Sequence, residues 1–303
     1  MRYSYPFLNK AQTLGFSAKA FFARAKEIGY KTAGNKLLFY RDENNFLLKR
    51  IRGSFSFNYR PKLFEYHNFE IAYRKYSTDN YVQQELNPNF FLADKNSQQY
   101  FYLDYEFIFD RRDIKPYPMH GYQLTASIRK EGLGIFKERN GLFTTAVLDK
   151  YFSFNKRWSL ELNAKAKFSF IRNWHPFNNY KALGYEGDFL RGYELYVMDG
   201  LDYFYLKSSF RIKIFEKIYE FNRMMPVKAF KVMPIKIFFT INNDTGYIND
   251  PQLGEINPLG NKWLWGGGIG LNFVLYYDKV IRLEYSFNQL HERGLFFQYT
   301  LSL

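Results

Sequence analysis

The side chains that most often perform chemistry are few in this chain and poorly placed to cooperate. Histidine occurs only at His67, His120, His175 and His291, and no two of these sit at metal-ligand spacing. Cysteine is absent, which excludes disulfides, thiolate catalysis and cysteine-bound metal. No serine stands in a nucleophile-elbow pattern, and no phosphate-cradling loop is present. The run Trp265, Gly266, Gly267, Gly268, Ile269, Gly270 superficially resembles a dinucleotide fingerprint, but no helical pattern follows it. In a strand, such glycines let the chain bend or let a neighbour approach closely. The residues therefore predict no enzyme, no cofactor and no metal. The formal net charge of +14 is spread along the chain instead of clustered, which argues against a nucleic-acid groove and suits contact with anionic lipid headgroups.

The elements that carry these residues are strands. Aromatic residues make up 21% of the chain, a composition that packs well on a pleated surface and loses rotamer freedom in a helix. From Trp158 to Phe170 one parity reads Trp158, Leu160, Leu162, Ala164, Ala166, Phe168, Phe170, and the other is wholly polar. Successive strand side chains point to opposite faces, so one face is greasy and the other wet. The same separation runs through Ile51–Tyr59, Phe101–Phe109, Tyr122–Ile128 and Phe204–Ile214. On the strand from Ile235, the parity of Ile237, Phe239 and Ile241 leaves Lys236, Thr240, Asn242 and Asp244 on the polar side.

Breaks at Asn, Asp, Gly and Pro clusters divide the chain into thirteen predicted strands, at 1–8, 12–31, 46–61, 63–79, 96–111, 118–133, 140–154, 156–172, 201–216, 233–248, 261–276, 278–290 and 294–303. Tight connections, such as Asn155-Lys156 and Tyr277-Asp278, alternate with long ones at 80–95, 173–200 and 249–260. Short turns at one rim and long loops at the other are the pattern of a transmembrane barrel. A soluble sandwich also alternates, but many of these runs exceed the usual five or six residues of globular strands, whereas a membrane strand needs about nine to eleven. No run approaches the roughly 20 apolar residues of a spanning helix, and no signal peptide is visible at the start. The expected fold is an all-β antiparallel transmembrane β-barrel occupying residues 1–303, with no domain boundary.

Four segments carry a resemblance to a known family. The loop LGYEGDFLRGYELYVMDG at 183–200 precedes five strands at the end of the chain. FDRRDIKPYPMHG at 109–121 contributes Asp110, Arg112, Asp113, Pro118 and Gly121, INNDTG at 241–246 contributes Asp244, and GGGIGLNF at 266–273 is followed by the strand around Arg282 to Phe287. Together these resemble the BamA/TamA-type outer-membrane assembly barrels, also called the bacterial surface antigen family. Their sixth extracellular loop carries an Arg-Gly-Phe/Tyr tip, here Arg191, Gly192 and Tyr193. The last strand, with Phe297, Tyr299, Leu301 and Leu303 on one parity, is similar to the closing signal of outer-membrane barrels, although most of those end in Phe.

The resemblance implies that the loop folds back into the lumen and that Arg191 pairs with Asp244. A planar guanidinium grips a carboxylate by two hydrogen bonds, and a partly dehydrated lumen strengthens that contact. It also implies sixteen strands, so that three strands, the periplasmic POTRA domains and a signal peptide would lie upstream of this sequence. An odd antiparallel sheet cannot close on itself, because its first and last strands would run parallel. The function implied is assembly or insertion of other barrels, or translocation across the outer membrane. Its partners would be outer-membrane lipids and lipopolysaccharide, client β-barrel proteins and periplasmic or lipoprotein accessory subunits. A second reading, an outer-membrane pore, would use the lumenal Lys165, Lys167, Lys207, Arg211 and Lys213 to favour anions.

Overall fold

A strand with one apolar and one polar face must be hydrogen-bonded on both sides and sorted between two solvents, and the backbone is arranged accordingly. The computed structural model describes residues 1–92, 95–136, 139–185, 187–220, 232–275 and 279–300. The first half of the chain forms β1 (Arg2–Tyr5), β2 (Leu14–Ala25), β3 (Glu27–Ala33), β4 (Lys36–Arg41), β5 (Leu48–Lys62), β6 (Glu65–Thr78), β7 (Ser97–Asp110), β8 (Gly121–Glu131) and β9 (Gly141–Ser153). The second half forms β10 (Trp158–Ser169), β11 (Lys181–Leu183), β12 (Met198–Asp199), β13 (Asp202–Glu220), β14 (Val232–Asn249), β15 (Trp263–Val274), β16 (Val280–Asn288) and β17 (Arg293–Thr300).

Thirteen of these make one sheet in the order β1-β2-β5-β6-β7-β8-β9-β10-β13-β14-β15-β16-β17, each pairing antiparallel with the next. The all-β fold and the thirteen strands match the sequence expectation. Among the described residues, β1 and β17 form the two edges of the sheet.

The two faces follow the parities. Phe55, Leu103, Ile128, Phe168, Ile241 and Ile269 all point outward and are about half exposed. Ser159, Ser209, Arg211, Thr240, Asn242, Asp244 and Glu284 point inward and are buried. An outer surface with exposed Phe, Leu, Ile or other large apolar residues on each strand of the thirteen-stranded sheet is far larger than the apolar patches of soluble monomers, and it fits hydrocarbon.

Three features depart from the sequence reading. The run 12–31 is not one strand: β2 ends at Ala25, and Glu27–Ala33 pairs with Lys36–Arg41 in a separate hairpin above the sheet. Residues 34 and 35 both take positive φ (58° and 57°), as a two-residue type I′ hairpin turn requires, and that turn redirects the chain. The strand expected at 201–216 continues to Glu220, with a bulge between Lys213 and Phe215. Bulges shift side-chain parity, so Ile214 and Phe215 are both exposed. Finally, the connection 111–120 lies at the short-turn rim yet folds inward, burying Tyr117 against Phe238.

The long-loop rim is roofed. Asn35, at the tip of the β3–β4 hairpin, is 1% exposed and uses every polar group it has. Its amide nitrogen donates to Asn257 Oδ1 (3.0 Å), its side-chain nitrogen to the Val197 carbonyl (3.3 Å), and its Oδ1 accepts from Leu259 N (2.9 Å). Its own carbonyl accepts from Val197 N (3.0 Å). One residue thus joins the hairpin to the loops before β13 and before β15.

Candidate functional site

The loop between β10 and β13 returns into the lumen, and its tip sits on the wall made by β13, β14, β15 and β16. Two properties of the wall make room for it. On β15 the lumenal parity is Gly266, Gly268 and Gly270, which pair across with Asp244, Asn242 and Thr240 on one side and with Asn288, Ser286 and Glu284 on the other. A Cβ at Gly266 would lie 1.9 Å from the Arg191 carbonyl oxygen, so only glycine lets the loop backbone lie against that strand. The expected close neighbour of the glycine run is therefore the loop itself. At the tip, Gly192 has φ +82°, and a Cβ there would meet the Phe287 carbonyl at 2.5 Å, so both conformation and space demand glycine.

Arg191 is held from four directions. Its Nη1 donates to Asp244 Oδ1 at 2.8 Å, and its backbone N–H donates to Asp244 Oδ2 at 3.0 Å. Its Nε donates to Glu284 Oε1 at 3.3 Å and its Nη2 to Ser209 Oγ at 3.1 Å. Asp244 is fully buried, and the Arg191 side chain is 16% exposed. Burial works against the guanidinium charge, but the two carboxylates outweigh it and hold the group above its ordinary pKa. Tyr193, also fully buried, donates its hydroxyl to the Trp265 carbonyl at 3.3 Å, and Asn288 Nδ2 donates to the Gly192 carbonyl at 2.6 Å. Lys165 on β10 pairs with Asp188 of the same loop. An apolar cluster of Leu183, Leu190, Tyr193, Met198, Ile248 and Leu264 packs the loop against the wall.

The structure thus places Arg191, Gly192, Tyr193 and Asp244 in one contact set. Sequence reasoning missed Glu284, Ser209 and Asn288, which complete it. Their signal was parity alone, because each lies on the polar side of an alternating run, and nothing local said which polar residue would meet the loop.

The segment 110–121 forms a second, separate cluster at the opposite rim. Arg112 chelates Asp110 through Nε (2.9 Å) and Nη2 (3.0 Å). Asp113 Oδ1 accepts from Ile114 N (2.9 Å) and Met119 N (3.1 Å), closing the turn. Pro118 presents its carbonyl to Arg211 Nη1 (2.8 Å), and Gly121 leaves the turn at φ +100°. Phe297 and Tyr299 face outward on the edge strand β17. Leu301 and Leu303, like the Tyr277-Asp278 turn, lie outside the described residues.

No family model matches this sequence, and no curated protein does. Among solved structures, the crystal structure of BamA from Haemophilus ducreyi lacking POTRA domains 1–3 is similar, with a TM-score of 0.66 at 11% identity. The match covers 98% of this chain and 60% of the BamA chain, so this chain spans less than two thirds of that protein. At such identity the likeness is one of fold, and in fold this chain is a BamA-like barrel.

Proposed function

We propose that this chain is the barrel of a bacterial outer-membrane assembly protein, which inserts client β-barrels or moves polypeptide across that membrane. The observation that carries the reading is the loop tip held inside a BamA-like sheet by Arg191 on Asp244 and Glu284. Such a loop fills the lumen and braces the C-terminal wall without performing chemistry. The edge strand β17 supports the reading too, since an open edge offers backbone groups on which a client strand can pair by β-augmentation. Outer-membrane lipids and lipopolysaccharide would cover the outward face, and accessory subunits would approach from the periplasmic side.

The alternative of an anion pore fits the lumen less well. Two of its cations are paired within the protein, Lys165 with Asp188 and Arg211 with Glu161, and Lys213 shares Glu216 with Lys236, while Lys167 and Lys207 have no ion pair among the described residues. The experiment is reconstitution of the full-length protein in liposomes with an unfolded outer-membrane barrel as client. Client folding, read by its heat-modifiable gel shift, is expected to accelerate over empty liposomes and to slow with Arg191→Ala. Folding no faster than in empty liposomes, together with anion-selective conductance, would replace this reading by the pore.

A further inference from the structure

At the short-turn end the segment 111–120 folds inward as a plug, and beside it lies a cavity of about 360 Å³ that the Arg191 seat does not use. The plug is firmly set. The Tyr117 ring packs on Phe238 with centroids 4.9 Å apart, the Arg211 guanidinium lies 4.3 Å from the same ring, and Asn272 Nδ2 donates to the Tyr117 hydroxyl at 3.0 Å. The cavity is therefore a formed feature between the plug and the walls of β9, β13, β14 and β15.

Its lining divides by chemistry. Ile114, Tyr117, Met119, Phe238 and Leu275 supply an apolar wall, and Lys156, Lys213 and Lys236 supply cations. Lys213 and Lys236 share one carboxylate, Glu216, and Lys156 has no ion pair to a carboxylate among the described residues. Among the described residues, three ammonium groups against one carboxylate leave an excess of two positive charges. The Ser153 hydroxyl and the Asn155 side-chain oxygen are already engaged: Ser153 Oγ donates to the Asn155 carbonyl (3.1 Å), and Asn155 Oδ1 accepts from Arg157 N (2.8 Å) and Trp158 N (3.0 Å). Pro116 and Pro234, also in the lining, have no N–H to offer. A peptide entering here would leave its backbone groups without partners, at the penalty that buried unpaired amides carry. A ligand with an apolar body and a single anionic head would meet every feature of the wall, and the volume lies within the usual range of small-molecule sites.

We propose that this cavity binds a single-chain anionic amphiphile of the fatty-acyl type, with its tail along Tyr117, Met119 and Phe238 and its head among Lys156, Lys213 and Lys236. The inference stands apart from the assembly function, since it would hold equally for a pore. The test uses the full-length protein in nanodiscs of zwitterionic lipid with dodecanoate carrying a diazirine on its tail. After irradiation, labels are expected on Tyr117, Met119, Phe238 or Leu275, displaced by excess dodecanoate but not by dodecanol. The Lys156→Ala/Lys236→Ala double variant should lower that labelling at least tenfold. Labels confined to lipid-facing residues such as Phe239 and Ile241, equal displacement by dodecanol, or labelling unchanged in the double variant would each overturn the proposal. Should the variant fail to fold, the wild-type competition between dodecanoate and dodecanol decides alone.

Discussion

Arg191 sits between two carboxylates, and this changes what its substitution should do. Removing one partner of a buried ion pair typically costs about 3–5 kcal/mol, because the remaining charge stays buried. With Arg191→Ala, both Asp244 and Glu284 lose their cation, and only the backbone N–H at position 191 still serves Asp244. We expect the loop to leave its seat, read as new protease cleavage within 183–200 while the sheet stays folded. A loop that stays protected would show that the apolar packing of Leu190 and Tyr193 suffices. Exchanging Arg191 and Asp244 should restore the seat only in part, since the carboxylate brought to position 191 would face Glu284. Adding Glu284→Gln to that exchange should improve the rescue. Gly266→Val should be at least as disruptive as Arg191→Ala, because its side chain would occupy the space of the Arg191 carbonyl. A Gly266→Val protein with a normally protected loop would contradict the close approach described above. From the residues alone Arg191 reads as a solvated loop position, and only through the family resemblance were the arginine, its glycine and the carboxylate legible. Glu284 was not, because its nearness to Arg191 depends on the registers of β14, β15 and β16 combined, and register is set by the assembled sheet.

At the scale of elements, the β3–β4 hairpin and its roof contacts carry a pH signature. Asp199 on β12 accepts from Thr32 and from the Tyr185 hydroxyl (2.6 Å), yet burial pushes its carboxyl up to about 6. The docked roof therefore holds that proton more tightly than the released one, and this contribution is lost as pH rises from near 4 through about 6. His175, in the loop before β11, is pushed down to about 4 by burial and by the nearby Arg139. Here the released form binds the proton better, so the contribution is complete above pH 6.5 and is lost as pH falls towards 4. The two slopes oppose each other in the same window. The protection of the hairpin amides, taken relative to their intrinsic exchange rate at each pH, should then vary little in the wild type. Protection should rise from pH 4 to 6.5 in Asp199→Asn and fall over that interval in His175→Gln. Identical profiles in the two variants would exclude this account. The hairpin was hidden in the sequence. The alternation slips between the two strands, since Arg24 and Lys26 fall on the parity that carries Phe16, Phe22 and Ile28, but no Gly, Pro, Asn or Asp marks a turn there and the run reads as one strand. Only Lys26 lies between β2 and β3, and the turn at 34 and 35 that pairs β3 with β4 depends on positive φ at Asn35, a property of the fold.

For the molecule as a whole, the parity of each strand assigns its side chains to the outward or the lumenal face, and this was the most legible property of the sequence. It needs only local order and a period of two, which survive whatever register the strands adopt. Ile241→Arg, on the outward face beside the inward Asn242, should destabilise the membrane-inserted protein by about 2–4 kcal/mol if it lies near the bilayer midplane. The measurement is a reversible unfolding titration in lipid vesicles. A change no larger than that of an outward substitution at the rim, such as Trp263→Arg, would mean that this face does not meet hydrocarbon.

The hydrogen bonds of Asn35 span 162 to 224 positions of sequence. Contacts that distant form late, since the intervening chain must be ordered before they can reward closure. The hairpin leaves the ribosome long before its partners Val197, Asn257 and Leu259, and it has nothing to dock on until β13, β14 and β15 are joined. The barrel should therefore fold with its long-loop end open and acquire its roof as a terminal event. In pulsed hydrogen exchange during refolding, the amides at 34 and 35 are expected to gain protection after those of β13 to β15. Earlier or simultaneous protection would reverse that order.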